Sequence, residues 1–396
     1  MAIKIGIGLS VDREPLQAAQ EALQQARISI GQEPISLAIV FGSIDMSSSS
    51  ILREIKSYLP NIPLLGASGA AVILNQGIFR HGLLIIFFSF LQDIYFNTAC
   101  AQEIKSKTPL AAGWELGENL LYGFKGIRRD LSMLFCDGLI ENNQDILNGL
   151  QEKLGRSFPI VGGSAADNLR FSHTYVYFNQ DALSDAACGI IWGGKLNFGL
   201  GTKHGWYPLG KPRFVTKAAG NIVYEIDGVP AAKLYEEYLA CDRAHLQKEL
   251  NRVSTLYPLG VYLPGEEEYL LRNILSIGED GSLLLQGDIA ENSQVRLMIG
   301  TKESCLNAAR QASADVKKGL GEHKCILLFV FDSFSRYVLL GRQAQEELRC
   351  IKEVLGEDVP LVGIYTYGEQ APLKAINYQG RVYAHNQTIT MLGIGG

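Results

Sequence analysis

The 396-residue chain carries a formal net charge of −5 with its lysines and arginines scattered, so it has no basic stripe of the kind a phosphate backbone requires, and nucleic acid is excluded as a partner. Hydrophobic residues at 47% and charged residues at 19% lie in the globular range, and the length exceeds what one core usually supports, so two or three packed units are expected. Seven dispersed cysteines without a C-x-x-C pair read as reduced thiols, the N-terminus lacks a secretory cleavage site, and the apolar run 83–91 falls short of the about 20 residues that span a bilayer. These features predict a cytoplasmic protein without membrane insertion.

In chain order, residues 3–9 read as a strand and 14–30 as a helix with Leu16, Ala19, Leu23 and Ala26 on one face. The run 35–41 is continuously apolar, as strands buried on both faces of a sheet are, and ends at Gly42-Ser43. Ser47 to Ser50 offer N-caps to a helix whose face is Ile51, Leu52, Ile55 and Leu59. Pro60 and Pro63 stop it, and 64–73 reads as one returning strand, with a further strand at 82–90.

The same grammar recurs. Strand 131–135 leads through Cys136-Asp137-Gly138, with Asn143 as cap, to a helix bearing Ile146, Leu147, Leu150 and Leu154. Strand 325–331 leads through an Asp332-Ser333 turn to a helix bearing Ala344, Leu348, Ile351 and Leu355. Each copy closes on a Pro-x-x-Gly strand: Ile62-Pro63-Leu64-Leu65-Gly66, Phe158-Pro159-Ile160-Val161-Gly162 and Val359-Pro360-Leu361-Val362-Gly363. Phe41 to Pro63, Phe135 to Pro159 and Phe331 to Pro360 are separated by 22, 24 and 29 residues, the length of a right-handed βαβ crossover.

Between the second and third copies, 187–205 alternates glycine with large apolar residues, as antiparallel strands do, 231–239 and 303–318 are helical, and 269–288 reads as a hairpin turning at Gly278-Glu279-Asp280-Gly281. The predicted fold is α/β: two related halves of mixed sheets, meeting near residue 220, built from repeated βαβ units with antiparallel additions.

Several stretches together resemble the FIST sensory domain family. They are Phe135-Cys136-Asp137-Gly138, the run 161–168, His204-Gly205-Trp206-Tyr207-Pro208-Leu209-Gly210, Val223-Tyr224-Glu225-Ile226-Asp227-Gly228, Tyr257-Pro258-Leu259-Gly260, the runs 331–336 and 359–363, Tyr365-Thr366-Tyr367-Gly368-Glu369 and Asn386-Gln387-Thr388. Each is weak alone, and in this order they are specific. The resemblance implies a FIST N-like part over 1–220 and a FIST C-like part over 221–396. It also implies an intracellular signal-transduction module that takes small ligands such as amino acids. With no output domain after Gly396, the expected signal leaves through a partner protein or an oligomer interface. The first copy departs from the family pattern: Ala67-Ser68-Gly69-Ala70-Ala71-Val72 lacks the acidic residue expected after its serine.

Ligands of parallel sheets bind beyond the carboxyl ends of strands, which singles out Ser43, Asp137 and the loop containing Ser333 and Arg336. Arg336 can grip a carboxylate with two parallel hydrogen bonds, or else pair with an internal acid such as Glu369 and pin two loops. Glu369 can meet an amine while Tyr365 and Tyr367 wall the pocket, and the glycine-rich turn bearing Ser164, Asp167 and Asn168 can present backbone amides and a carboxylate. The alternative for each is structural: a strand end, a cap or a turn.

No cofactor or metal is predicted. Gly6-Ile7-Gly8 lacks the third glycine of a dinucleotide fingerprint, Gly66-Ala67-Ser68-Gly69-Ala70 lacks the last glycine of a nucleophile elbow, and neither Cys241 with His245 nor His323 with Cys325 completes a zinc set. Three functions stay open: a small-ligand sensor, an enzyme on a carboxylate-bearing metabolite using Glu369 or Asp137 with Arg336, and a protein-binding scaffold.

Overall fold

The structure, a computed structural model, describes residues 3–91, 93–266, 268–373 and 381–396. The first repeat runs β1 (Ile3–Ser10), α1 (Pro15–Ile30), β2 (Leu37–Ser43), α2 (Ser49–Tyr58), β3 (Leu64–Gly69), the short strands β4 (Val72–Leu74) and β5 (Gly77–Phe79), and β6 (Leu83–Phe90). Every residue of β2 is buried, as its unbroken apolar run requires, and Ser48 caps α2 by accepting from Ile51 N at 3.4 Å. On α1 the buried face is Ala18, Ala19, Ala22, Leu23 and Ala26, whereas Leu16 is exposed.

The second repeat follows the same order. It comprises β7 (Ile94–Ala101), α3 (Pro109–Leu121), β8 (Arg129–Cys136), α4 (Asn143–Leu154), β9 (Ile160–Ser164), β10 (Val176–Phe178), β11 (Asp181–Leu183) and β12 (Ala187–Gly194). The residue capping α4 is Asn142, in a left-handed conformation, and Asn143 is the first helical residue. The third repeat opens with β13 (Asn197–Lys203) and is then interrupted by β14 (Trp206–Ala219), β15 (Ile222–Ile226), β16 (Val229–Pro230), α5 (Lys233–Leu239), α6 (Arg243–Lys248), α7 (Leu250–Leu256), β17 (Leu259–Val261), β18 (Leu270–Arg272), β19 (Ile274–Ile277), β20 (Leu283–Leu285) and β21 (Gln294–Gly300). It resumes with α8 (Lys302–Leu320), β22 (Cys325–Ser333), α9 (Phe334–Leu340), α10 (Ala344–Leu355), β23 (Leu361–Thr366), β24 (Gly368–Pro372), β25 (Val382–His385) and β26 (Ile389–Gly395).

Three six-stranded sheets result, with one shared plan. Their orders are β1-β6-β2-β3-β10-β11, β7-β12-β8-β9-β24-β25 and β13-β26-β22-β23-β4-β5, and in each the central pair is parallel while the other pairings are antiparallel. The fold is therefore the α/β arrangement of mixed sheets and repeated βαβ units expected from the sequence. The last two strands of every sheet come from a different repeat. The hairpin after β3 completes the third sheet, the one after β9 completes the first, and the one after β23 completes the second.

This exchange corrects two expectations. The run 64–73 is not one strand: it breaks after Gly69, and β4 leaves for the third sheet. The alternating run 187–205 yields β12 and β13, which are consecutive but lie in different sheets. Asp332 and Ser333 also end a strand rather than form a turn, and the short helix α9 follows them directly.

The inner faces of the three sheets meet in one core, where Phe41, Phe135 and Phe331, the equivalent last phenylalanines of β2, β8 and β22, pack edge to face. Their ring centroids are 5.6 Å, 5.9 Å and 6.3 Å apart, within the range aromatic pairs prefer. Helices cover the outer faces. The repeat glycine serves the parallel pair: a Cβ at Gly66, Gly162 or Gly363 would lie 1.8, 1.8 or 1.9 Å from the carbonyl oxygen of Val40, Leu134 or Val330 on the neighbouring strand.

The interrupting segment forms an eight-stranded sheet, β18-β17-β21-β14-β15-β20-β19 with β16 beside β15. Within it β19 and β20 make the expected hairpin, while β18 pairs with β17. This arrangement carries Arg272, at the end of β18, toward β25 of the second sheet. Among the described residues no helix is long and apolar enough to cross a membrane.

Candidate functional site

The strand-end residues Ser43, Asp137 and Ser333 occupy one repeated position. Each accepts, through its side chain, the backbone N–H that precedes the antiparallel return strand: Gly82 at 3.1 Å, Asp185 at 2.5 Å and Gln387 at 3.2 Å. Asp137 also accepts from the Thr174 hydroxyl and from Leu139 N at 3.0 Å, so both of its oxygens are engaged. The position clamps the sheet.

Arg336 is fully buried on α9 and enclosed by protein acceptors. It pairs with Asp332 at 2.9 Å, four residues back near the end of β22, and with Glu347 on α10, and it donates to the carbonyls of His204 (2.5 Å) and Cys305 (3.0 Å). Burial opposes the guanidinium charge, but Glu347, Cys305 and Asp332 more than offset it, so its pKa rises. Burial first and Glu347 second push Asp332 well above the usual carboxylate range. Tyr365 packs beside this cluster, its ring 5.0 Å from that of Tyr337. The internal partners of Arg336 are thus Asp332 and Glu347 rather than Glu369.

Asp167 holds a loop in place. Its carboxylate accepts from the backbone amides of Phe171, Ser172 and His173 at 2.9, 2.7 and 3.0 Å and from the Tyr367 hydroxyl. Burial opposes the charge, yet the Tyr367 hydroxyl and the three amides outweigh it and hold the pKa below the usual value. Asn168, Leu169 and Phe171 take left-handed φ values of 61°, 62° and 48°, and Asn168 accepts from Arg80 at 3.0 Å. The Phe171 ring lies on Tyr367, centroids 4.7 Å apart and nearly parallel.

Ser164 and Glu369 come together in a cavity of about 230 Å³ between the second repeat, the interrupting sheet and the β24–β25 hairpin. Its wall also carries Arg272, Asn143, Gln370 and His385. Arg336 and Asp137 are not part of this wall, so the carboxylates and the arginine proposed together from the sequence do not share it.

Arg272, which no sequence pattern singled out, is 3% exposed. It donates to the carbonyls of Leu271 (3.1 Å) and Ala384 (3.0 Å) through Nη1 and of Asp288 (3.4 Å) through Nε; among the described residues it forms no ion pair, and Asp288 is the acid that acts on its charge from farther away. Burial pulls its pKa down to about 10, which leaves it charged at neutral pH. Gly287 makes room for it, since a Cβ there would lie 2.8 Å from Arg272 Nε. The one available signal is the polar pair Arg272-Asn273 inside the otherwise apolar run Tyr269-Leu270-Leu271-Arg272-Asn273-Ile274-Leu275.

Acceptors complete the wall. Gln370 Nε2 and Asn143 Nδ2 both donate to Ser164 Oγ, at 2.9 and 3.3 Å, and their carbonyl oxygens, Gln370 Oε1 and Asn143 Oδ1, are buried without partners. His385 faces Glu369 across β24 and β25. Its Nε2 is 2.9 Å from the Ala371 carbonyl, which can only accept, so the proton sits on Nε2, and burial holds its pKa at about 4. Burial raises Glu369 to about 8, against the hydrogen bonds that its ionised form accepts from Thr366 and Thr388 N. At neutral pH the wall is a guanidinium cation among neutral polar groups, and the exposed Glu141 also lines the cavity.

The chain matches the family model of the FIST N domain over residues 36–229 and that of the FIST C domain over 231–372. An uncharacterized protein of Methanocaldococcus jannaschii is 23% identical over 406 residues, covering 93% of this chain and 76% of its own. An uncharacterized protein of Mycobacterium bovis is 23% identical over 408 residues, covering 98% of both. A solved structure of T. maritima PurL complexed with ATP aligns with all of this chain and 72% of its own at 13% identity, and its TM-score of 0.23 carries no weight for the fold. With both domain models matched in order between residues 36 and 372, the chain belongs to the FIST family.

Proposed function

We propose that this protein is a small-ligand sensor acting in signal transduction through a partner, and that its ligand is a zwitterion of amino-acid size held in the cavity walled by Arg272 and Glu369. FIST domains are in general sensory, small-ligand-binding signalling domains. The observation that carries the ligand assignment is the buried Arg272 guanidinium with no carboxylate partner, in one cavity with two unpartnered amide oxygens. A buried charge without an ion-pair partner is costly, and a ligand carboxylate accepting from the N–H groups of Nη2, the one guanidinium nitrogen for which no hydrogen bond within the protein is seen among the described residues, relieves it. A ligand ammonium supplies the protons that Gln370 Oε1 and Asn143 Oδ1 lack. The volume of about 230 Å³ holds about seven or eight waters and lies below the range of about 300–1,000 Å³ typical of larger ligands.

Calorimetric titration of the protein with the standard amino acids tests this reading. Saturable binding of at least one of them, weakened more than tenfold by Arg272→Ala and by Gln370→Leu in variants whose circular dichroism is unchanged, is the expected result. Absence of binding by any amino acid, or equal binding by the Arg272→Ala variant, overturns it.

A further inference from the structure

A second, larger cavity of about 720 Å³ adjoins the polar one, and Phe171, Leu275 and Gln286 belong to the walls of both. Its wall is mainly apolar. Leu169, Phe171, Leu275 and Val338 are 48%, 53%, 45% and 48% exposed, a concentration of large apolar surface that solvent alone does not favour. Two of the four are displayed by the loop in which three non-glycine residues adopt left-handed backbone, a conformation that costs free energy and persists only where the surroundings enforce it. Here the enforcing group is Asp167, whose carboxylate anchors the amides of residues 171 to 173. The loop backbone is thus fixed, and the half-exposed Phe171 ring stacks on Tyr367.

Gln286 ties the partition to the interior. It donates to the Tyr367 carbonyl at 2.6 Å and accepts from Asn273 at 2.9 Å, so it is a fixed part of the wall.

Resting on the amino-acid reading of the polar cavity, we infer that the ligand carries a large apolar side chain, of leucine to tryptophan size, that passes Phe171 and lies in the outer cavity. The polar cavity takes the carboxylate and ammonium, and the Phe171 ring with Leu169, Leu275 and Val338 takes the side chain. Selectivity among amino acids then resides in the outer wall, and affinity for the shared head group in the inner one.

The test titrates glycine, alanine, leucine, phenylalanine and tryptophan into the wild-type protein, Phe171→Ala and Leu275→Ser by calorimetry. Both substituted residues are about half exposed, so the fold is retained. Leucine and phenylalanine are expected to bind at least tenfold tighter than alanine, since each methylene that leaves water contributes about 0.8 kcal/mol. Phe171→Ala and Leu275→Ser are expected to remove most of that advantage while leaving alanine binding unchanged. Equal affinity across the series, or an equal loss for all five ligands in the variants, overturns the side-chain assignment while leaving the amino-acid reading intact. No binding by any member, in a protein where Arg272→Ala likewise changes nothing, removes both.

Discussion

Thr366 Oγ1 lies 2.6 Å from Glu369 Oε1 and 3.2 Å from the Asp332 carbonyl oxygen. A carbonyl can only accept and a hydroxyl has one proton, so when Thr366 donates to Asp332 the short contact to Glu369 carries the carboxyl's own proton. This matches a pKa raised by burial to about 8. The groups around Glu369 are Thr388 on the approach to β26, His385 opposite it on β25, and Asp332 and Arg336 beyond Thr366.

The sign of the linkage follows. Between the ordinary value of 4.5 and about 8 the folded protein holds a proton on Glu369 that the unfolded chain releases, so this group's contribution is present below 4.5 and is lost as pH rises through about 8. The slope reaches about 1.4 kcal/mol per pH unit at most. Glu369→Gln keeps a donor toward Thr366 and an acceptor for Thr388 N without the proton. Urea unfolding at pH 5, 7 and 9 is expected to show the variant gaining on the wild type as pH rises, and a pH-independent difference would contradict the protonated state.

Arg336→Met strands the buried carboxylates Asp332 and Glu347 and is expected to cost about 3–5 kcal/mol. Adding Asp332→Asn and Glu347→Gln is expected to recover most of that loss. Thermal unfolding of the single and triple variants checks it. Because Arg336 lies outside the wall of the cavity that holds Arg272 and Glu369, any amino-acid binding there by the folded triple variant is expected to match the wild type.

Asp167→Asn puts an amide donor where a carboxylate oxygen now accepts from the 172 and 173 amides, or from Phe171 N and the Tyr367 hydroxyl. The expected cost is about 1.5–3 kcal/mol, the range of hydrogen bonds to a charged group. Amide hydrogen exchange is expected to quicken at Phe171, Ser172 and His173. In the wild type this contribution holds above pH 3.8 and is lost only as pH falls through the depressed pKa of Asp167.

Phe135→Ala opens a cavity where three sheets converge and is expected to destabilise the protein by about 3–5 kcal/mol, with Phe41→Ala similar. Phe135→Leu is expected to cost less than half as much. Chemical denaturation measures both.

The three Pro-x-x-Gly copies, the apolar parallel strands and the helix faces were all legible, because periodicity and turn residues report how each segment is buried. Periodicity does not report against what. The hairpins after β3, β9 and β23 read as local continuations, and nothing in their residues marks that each crosses to another repeat. At the site, Glu369 and Ser164 were legible from position at the repeat strands, and Arg272 was not, since the segment that carries it reaches the cavity only through tertiary packing. The spacing of Asp332 and Arg336, four residues apart with a helix starting between them, already allowed the internal ion pair that the structure shows.

The exchanged hairpins make the repeats a closed ring of loans in which no sheet is finished by its own segment of chain. A fragment ending near residue 229 would keep β10 and β11 for the first sheet but leave β9 a bare edge and set β4 and β5 adrift, and bare edges recruit other chains. Truncation at that point therefore yields assembly or aggregation instead of a working half. The β24–β25 hairpin belongs to the third repeat by chain order and to the second sheet by pairing, so any displacement of it is shared by two repeats without a hinge.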